Sequence, residues 1–294
     1  MRSFIMLLLA AGTVCAGEEV PKNSKPETKK AETKKTAETP SAIEDFKVDA
    51  GQYVIRLAAR PKDALKLHPK PLLHWGNPAR TGEDGAVFVW MLDGRPEVIG
   101  SVFTYRLGNV IHRKHEFHSL AAGPLTAEFE GKRVWAPAVA GVKFQPLEGA
   151  AEPADSPRQR LSQMKALARE FSARMIDQQD GKDVRSDLRL QSQPLIRYEP
   201  TNQATFDGAL FSFALGTDPE VILLLEARTD KGKMAWHYAF ARYHYIDLTA
   251  FHKDKEVWHV ATLPAEISNL DIGTPKFQDS VYTTYHIKRT LVEE

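Results

Sequence analysis

The sequence predicts a mainly β (α+β) fold: two tandem-duplicated antiparallel β-meander units with one prominent amphipathic helix between them. Three observations lead there. The chain resembles itself at a constant offset of 123 residues. The repeated stretches are strand-length apolar or alternating runs bounded by turn residues. The segment between them has helical spacing and a helix-start signature.

The first residues read "MRSFIMLLLAAGTVCAG". Arg2 supplies a basic start, Phe4–Ala11 a short apolar core, and Val14-Cys15-Ala16 a small-residue end, the three parts of a secretory signal. The apolar run is far shorter than the ~20 residues that cross a bilayer as a helix. Residues 1–17 are therefore expected to be a signal peptide. Cys15 invites comparison with a lipobox, but Gly12 and Val14 stand where Leu and a small residue are wanted. Cleavage after Ala16 or Gly17 is favoured over lipidation. The mature chain then has no cysteine, since Cys15 is the single one. No disulfide, thiolate nucleophile or cysteine-based zinc site is expected.

Residues 18–42 hold "KNSKPETKKAETKKTAETP", with no aromatic or large aliphatic side chain in that stretch. Such a segment cannot offset the entropy of ordering and is expected to be a disordered stalk. A spacer from a surface and a solubilising leader fit this composition equally. Net charge over the chain is +1, so nothing points to nucleic acid.

The repeat organises the remainder, with a first unit over 43–150 and a helix plus second unit over 151–294. "LKLHPKPLLHW" (65–75) aligns with "LRLQSQPLIRY" (188–198), and "LTAEFEGKRVW" (125–135) with "LTAFHKDKEVW" (248–258). "DGAVFVWMLDGRPEVI" (84–99) matches "DGALFSFALGTDPEVI" (207–222) at nine of sixteen positions. Three blocks at one offset indicate duplication. Asp84-Gly85 and Asp207-Gly208 read as turns. "LDGRPEVI" and "LGTDPEVI" turn the chain, with Pro96 and Pro219 at the turn or opening the return strand. "FEGKRVW" and "HKDKEVW" read as hairpins ending on Trp135 and Trp258. These two tryptophans, with Phe88 and Phe211, survive duplication and are expected in the core. Each unit reads as a meander of about five or six strands.

Between the copies, Asp155 or Ser156 caps a helix that Pro157 opens. Leu161, Met164, Leu167, Ala168, Phe171 and Met175 recur at helical spacing, so the helix is expected over Pro157–Ile176, packed on a sheet near the junction of the units. No matching helix is expected before the first copy, where Phe46, Val48, Tyr53, Ile55 and Leu57 alternate like strand residues.

"GRPEVIGSVFTYR", "HEFHSL", "RLSQMKALAREF", "LRLQSQPLIRY" and "DGALFSFALGTDPEVILLLEAR" together resemble an uncharacterised family of secreted proteins from planctomycete bacteria. The resemblance covers most of the chain after the stalk. It implies export and a cell-envelope setting, and it carries over no activity and no functional residue.

The polar segment "IHRKHEFHSL" (111–120) decides how far chemistry can be read. On a strand, His112, Lys114, Glu116 and His118 share one face, and Arg113, His115, Phe117 and Ser119 the other. Glu116 and His118 are the metal-ligand candidates, yet catalytic zinc wants three protein ligands and an open position. The second copy places Ala235, Tyr238, Ala239 and Ala241 opposite His112, His115, Glu116 and His118, and keeps Phe117 as Phe240. The fold therefore needs the aromatic residue and not the polar ones. In "AWHYAFARYHYIDL", Trp236 and Tyr243 are the candidates for stacking on a sugar or peptide; a strand buried on both faces explains the same residues. There is no HExxH, no GxSxG and no glycine-rich phosphate loop.

The function expected from this is an exported, non-catalytic binding or structural protein, periplasmic or on the cell surface. Its partner would be envelope polysaccharide or protein, with no cofactor and no membrane span in the mature chain. The alternative is a metal-assisted hydrolase centred on Glu116 and His118.

Overall fold

The first unit runs α1 (Pro40–Gly51), β1 (Tyr53–Leu57), β2 (Lys66–Leu67), β3 (Leu73–Asn77), β4 (Glu83–Leu92), β5 (Arg95–Leu107), β6 (Val110–Ser119), β7 (Leu125–Phe129) and β8 (Lys132–Trp135). A short β9 (Gln145–Pro146) leads into the second unit. That unit runs α2 (Pro157–Ala168), β10 (Phe171–Gln179), β11 (Lys182–Leu190), β12 (Ile196–Tyr198), β13 (Thr205–Leu215), β14 (Asp218–Asp230), β15 (Lys233–Arg242), β16 (Asp247–His252) and β17 (Lys255–Val260). A 3-10 turn (Ala265–Ser268) and β18 (Tyr282–Leu291) follow. This computed structural model describes residues 40–77, 83–179, 181–201, 205–230, 232–268 and 271–291. The expected signal peptide and stalk lie outside them, except that α1 begins at Pro40, inside the expected stalk.

The protein is mainly β, and every pairing between these strands is antiparallel. The duplication is visible in the register. The hairpins β4–β5–β6 and β13–β14–β15 coincide in register at the offset of 123, one bulge included. Bulges fall at Trp90/Met91 and Phe213/Ala214, where the partner strands carry Pro96 and Pro219. A second matched pair falls at Ala127/Glu128 and Ala250/Phe251. The meander runs through these three strands of each unit. The next hairpin then leaves its edge: β7 pairs with β1, and β16 with β10.

The vacated edges are filled reciprocally. β18, which follows the second unit, pairs with β6 of the first, setting His286 opposite Lys114. β9, which follows the first unit, pairs with β15 of the second, setting Pro146 opposite His237. His237 corresponds to Lys114 at the repeat offset, so the two exchanged strands occupy equivalent edges. A swapped homodimer would trade strands in the same way.

Three expectations are corrected. First, the first unit has its own helix. Phe46 and Ala50, one helical turn apart, are buried while Val48 is exposed, which no strand allows. Phe46, Ala50 and Tyr53 match Met164, Ala168 and Phe171 at an offset of 118, not 123. The five-residue difference is absorbed by the longer β10–β11 hairpin, so a constant offset misses the match. Second, α2 stops at Ala168. Ser156 caps it by accepting from the Gln159 amide, as expected. Phe171, Ala173 and Met175, however, alternate inward along β10 and pair with β16. Their spacing suits either period, and the partner strand decides. Third, Asp84-Gly85 and Asp207-Gly208 are inside β4 and β13. Gly85 pairs with Trp75 and Gly208 with Tyr198. A Cβ would sit 2.6 Å from the Trp75 ring or 2.5 Å from the Tyr198 ring, so glycine is needed for the aromatic to lie across the strand. The preceding aspartates hold neighbouring side chains: Asp84 lies 2.7 Å from the His74 imidazole, and Asp207 accepts from Arg197 and Arg160 (2.6 Å each).

Each unit has a private core beneath its helix. α2 packs on β13 and β14 in the second unit's private core, away from the junction. A third core is shared: Val87, Val89, Ile99 and Phe103 of the first unit meet Leu210, Ile222, Leu224, Ala239 and Ala241 of the second. Burying each larger aliphatic contributes about 1.5–3 kcal/mol, so this contact holds the units together. Trp135, Phe88 and Phe211 are fully buried, whereas Trp258 is half-buried and stacks on Phe240.

Candidate functional site

β6 carries the polar strip. Its two faces divide as period-2 alternation requires. His115 and Phe117 look into the first unit's core. The His115 imidazole lies 2.7 Å from the Tyr53 hydroxyl through Nδ1 and 3.4 Å from Asp49 through Nε2, and Arg113 donates to the same carboxylate. Burial lowers the His115 pKa despite Asp49, so the ring is neutral in the fold.

The other face turns toward the second unit. Lys114 lies over the Tyr245 ring, 5.4 Å from its centroid. Glu116 accepts a 2.8 Å hydrogen bond from the Tyr282 hydroxyl on the exchanged strand. His118 sits 2.8 Å through Nδ1 from the Ser119 carbonyl, and its ring approaches Tyr282. Burial, helped by Arg242, pushes the His118 imidazole down to about 4. His286 hydrogen-bonds the Tyr105 hydroxyl at 2.8 Å. Burial, then Lys114 and the neighbouring basic groups, push it down to about 3. The Tyr282 and Tyr243 hydroxyls are held protonated, by burial first and Glu116 second.

The structure thus gathers Glu116, His118 and Tyr243 at the junction of the two units. All are buried. Trp236 is buried elsewhere, in the second unit's private core. Neither aromatic candidate offers an exposed stacking face. Among the described residues, no group of three or more His, Cys, Asp or Glu side chains is placed to hold a metal ion. Glu116 and His118 are instead surrounded by Tyr282, Tyr243 and Arg242, none of which belongs to an ordinary zinc ligand set.

A second buried polar centre was missed by sequence reasoning. Arg95 of the first unit donates to Glu226 of the second and to Glu97, each at 3.0 Å. Tyr198 and Thr205 also donate to Glu226, at 2.8 Å each. Burial alone would lower the Arg95 pKa, but Glu226 and Glu97 more than offset it and keep the guanidinium charged. The available signal was a glutamate inside the apolar run "VILLLEAR": buried charge in a strand interior calls for a partner. A surface groove of about 490 Å³ lies apart from both centres, lined by Arg60, Lys62, Lys66, Met91 and Leu92 among others. Its Arg60 is already engaged by Asp63 and Asp93.

No family model, curated protein or solved structure matches the chain. No helix among the described residues is long and apolar enough to cross a membrane.

Proposed function

We propose that this is an exported, non-catalytic binding or structural protein of the bacterial cell envelope. One observation carries the non-catalytic part. The most chemically suggestive residues, Glu116 and His118, are buried at the junction and face Tyr282 and Arg242. A general base or metal site needs access to substrate and converging reactive groups. These residues are closed off from a substrate, and the groups that converge on them are those of a polar joint between two packed units. Export rests on the N-terminal sequence.

Two measurements test the reading. Mass spectrometry of the native protein should find the chain beginning after residue 16 or 17; an intact Met1, or a diacylated Cys15, would overturn export. Elemental analysis combined with ester, phosphoester and peptide hydrolysis assays should find no stoichiometric metal and no turnover. Turnover that Glu116→Gln abolishes would establish the hydrolase reading in its place.

A further inference from the structure

We infer that the outer edge of β17 is a docking site for another protein, which it grips by a tight turn offering two backbone carbonyls. The first unit shows what such an edge receives. There β8 is met by the chain that leads into β18. The Ala136 amide donates to the Gln278 carbonyl and the Trp135 indole to the Ser280 carbonyl, each at 2.7 Å. Both acceptors sit in one turn, closed by the Ser280 amide on the Phe277 carbonyl. Beneath it Trp135 is only 1% exposed.

The second unit repeats the receiving surface. At the offset of 123, Phe117, Leu125, Ala127, Val134 and Trp135 return as Phe240, Leu248, Ala250, Val257 and Trp258. The ring pairs match: Phe117 and Trp135 lie 6.0 Å apart at 30°, Phe240 and Trp258 5.5 Å apart at 29°. Ala250 faces Trp258 as Ala127 faces Trp135, each beside a bulge. His259 therefore stands where Ala136 does, with its amide pointing away from β16. Here the surface is left open. β17 ends its sheet, and among the described residues neither the Trp258 indole nor the His259 amide has a hydrogen-bond partner. The chain entering β9 is the counterpart of the chain entering β18. It is held by the first unit instead, where the Gly141 amide donates to the Ala121 carbonyl.

The edge itself selects the occupant. A bulge between Ala250 and Phe251, with Lys255 and Glu256 exposed beside it, blunts β17 against an added strand, a second β17 included. A turn needs only the two neighbouring donors, and a half-buried indole with a free N–H is suited to one carbonyl on an apolar rim. This chain's own matching turn is taken up by β8, so the turn comes from a different protein.

The inference rests on the binding half of the proposed function and adds a surface and a partner chemistry to it. Export and turnover are read by separate measurements, so failure here leaves both standing. The test titrates the full chain with a cyclic peptide carrying residues 276–281, followed in proton–nitrogen correlation spectra. The chain has five tryptophans, and Trp258→Phe assigns the indole signal concerned. The Trp258 indole and His259 amide signals should move together while the Trp135 indole, already bonded, stays in place. A scrambled cyclic peptide should move neither. Trp258→Phe keeps the ring but loses one donor, so it should weaken binding about three- to tenfold, the worth of one hydrogen bond. Val139→Asn, which changes an exposed aliphatic in another loop, should bind like the parent. No shift at millimolar peptide, shifts confined to other signals, or undiminished binding by Trp258→Phe overturns the inference. So does concentration-dependent dimerisation that Trp258→Phe abolishes, which would seat a second copy on the edge.

Discussion

The two units share hairpins, bulges and strand order, yet face each other with different side chains. Positions on the first unit's inner face that carry Arg95, Glu116, His118 and Leu120 carry Asp218, Ala239, Ala241 and Tyr243 in the second. Phe103 becomes Glu226. A homodimer interface must be self-complementary, because each residue meets its own kind of surface. Fusion removes that constraint. Arg95 can then answer Glu226, and small alanines can receive a bulky polar strip. The comparison teaches that matched residues report on folding, while unmatched ones report on how the halves recognise each other.

The largest effect that would break this picture is at the buried ion pair. Glu226→Leu should destabilise by about 3–5 kcal/mol, because it strips a buried guanidinium of a partner. Arg95→Leu/Glu226→Leu should recover most of the loss. Chemical denaturation of the singles and the double tests it; a harmless Glu226→Leu would mean that the pair does not join the units.

Next comes the tryptophan pair, matched in sequence but not in burial. Trp135→Ala should cost about 3–5 kcal/mol, as for a fully buried aromatic, and also loses the 2.7 Å bond to the Ser280 carbonyl. Trp258→Ala should cost measurably less. Equal losses by calorimetry would show that the half-exposed indole matters more than its burial implies.

The histidines sharpen the comparison through pH. The unfolded chain protonates histidine near pH 6.5. The fold refuses protons at His118 until about 4 and at His286 until about 3. Unfolding therefore takes up protons in between. Stability should be level above pH 7 and fall as pH drops from 6.5 toward 4. Carboxylates contribute a similar slope lower down, so the readout is the difference between parent and His118→Ala/His286→Ala. The variant should show a shallower decline in urea midpoint between pH 6.5 and 5; an unchanged slope would refute the neutral-imidazole assignment.

The smallest effect is expected at the exposed ends of β5 and β18. Leu107→Asn/Leu291→Asn should change stability by less than about 0.5 kcal/mol, as for ordinary surface positions. A larger loss would place these residues in the fold's own packing rather than on a free surface.

Part of this was legible without coordinates. The β4–β5 and β13–β14 hairpins, the N-terminus of α2, the alternation of β6 and the core role of Phe88, Phe211 and Trp135 followed from periodicity, caps and the repeat. Short apolar stretches were harder: Phe171–Met175 satisfies both helical and strand spacing. Likewise, among the described side chains α1 shows only Phe46 and Ala50 to its hydrophobic core, too few for a stripe. At the candidate site, the face assignment of Glu116 and His118 held, because alternation is local. What covers that face was not legible, because Tyr282 lies 166 residues from Glu116.

By itself, the sequence determined the duplication, the strand-rich class and which β6 side chains share a face, since each depends on neighbours a few residues apart or on self-similarity. Only the tertiary structure decided that the units trade edge strands, that Asp84-Gly85 lies beneath a tryptophan rather than in a turn, and that Glu226 answers Arg95. Those outcomes depend on which distant strand supplies the partner. A charge or a glycine carries no mark of that partner until burial makes an unpaired group or a clashing Cβ too costly.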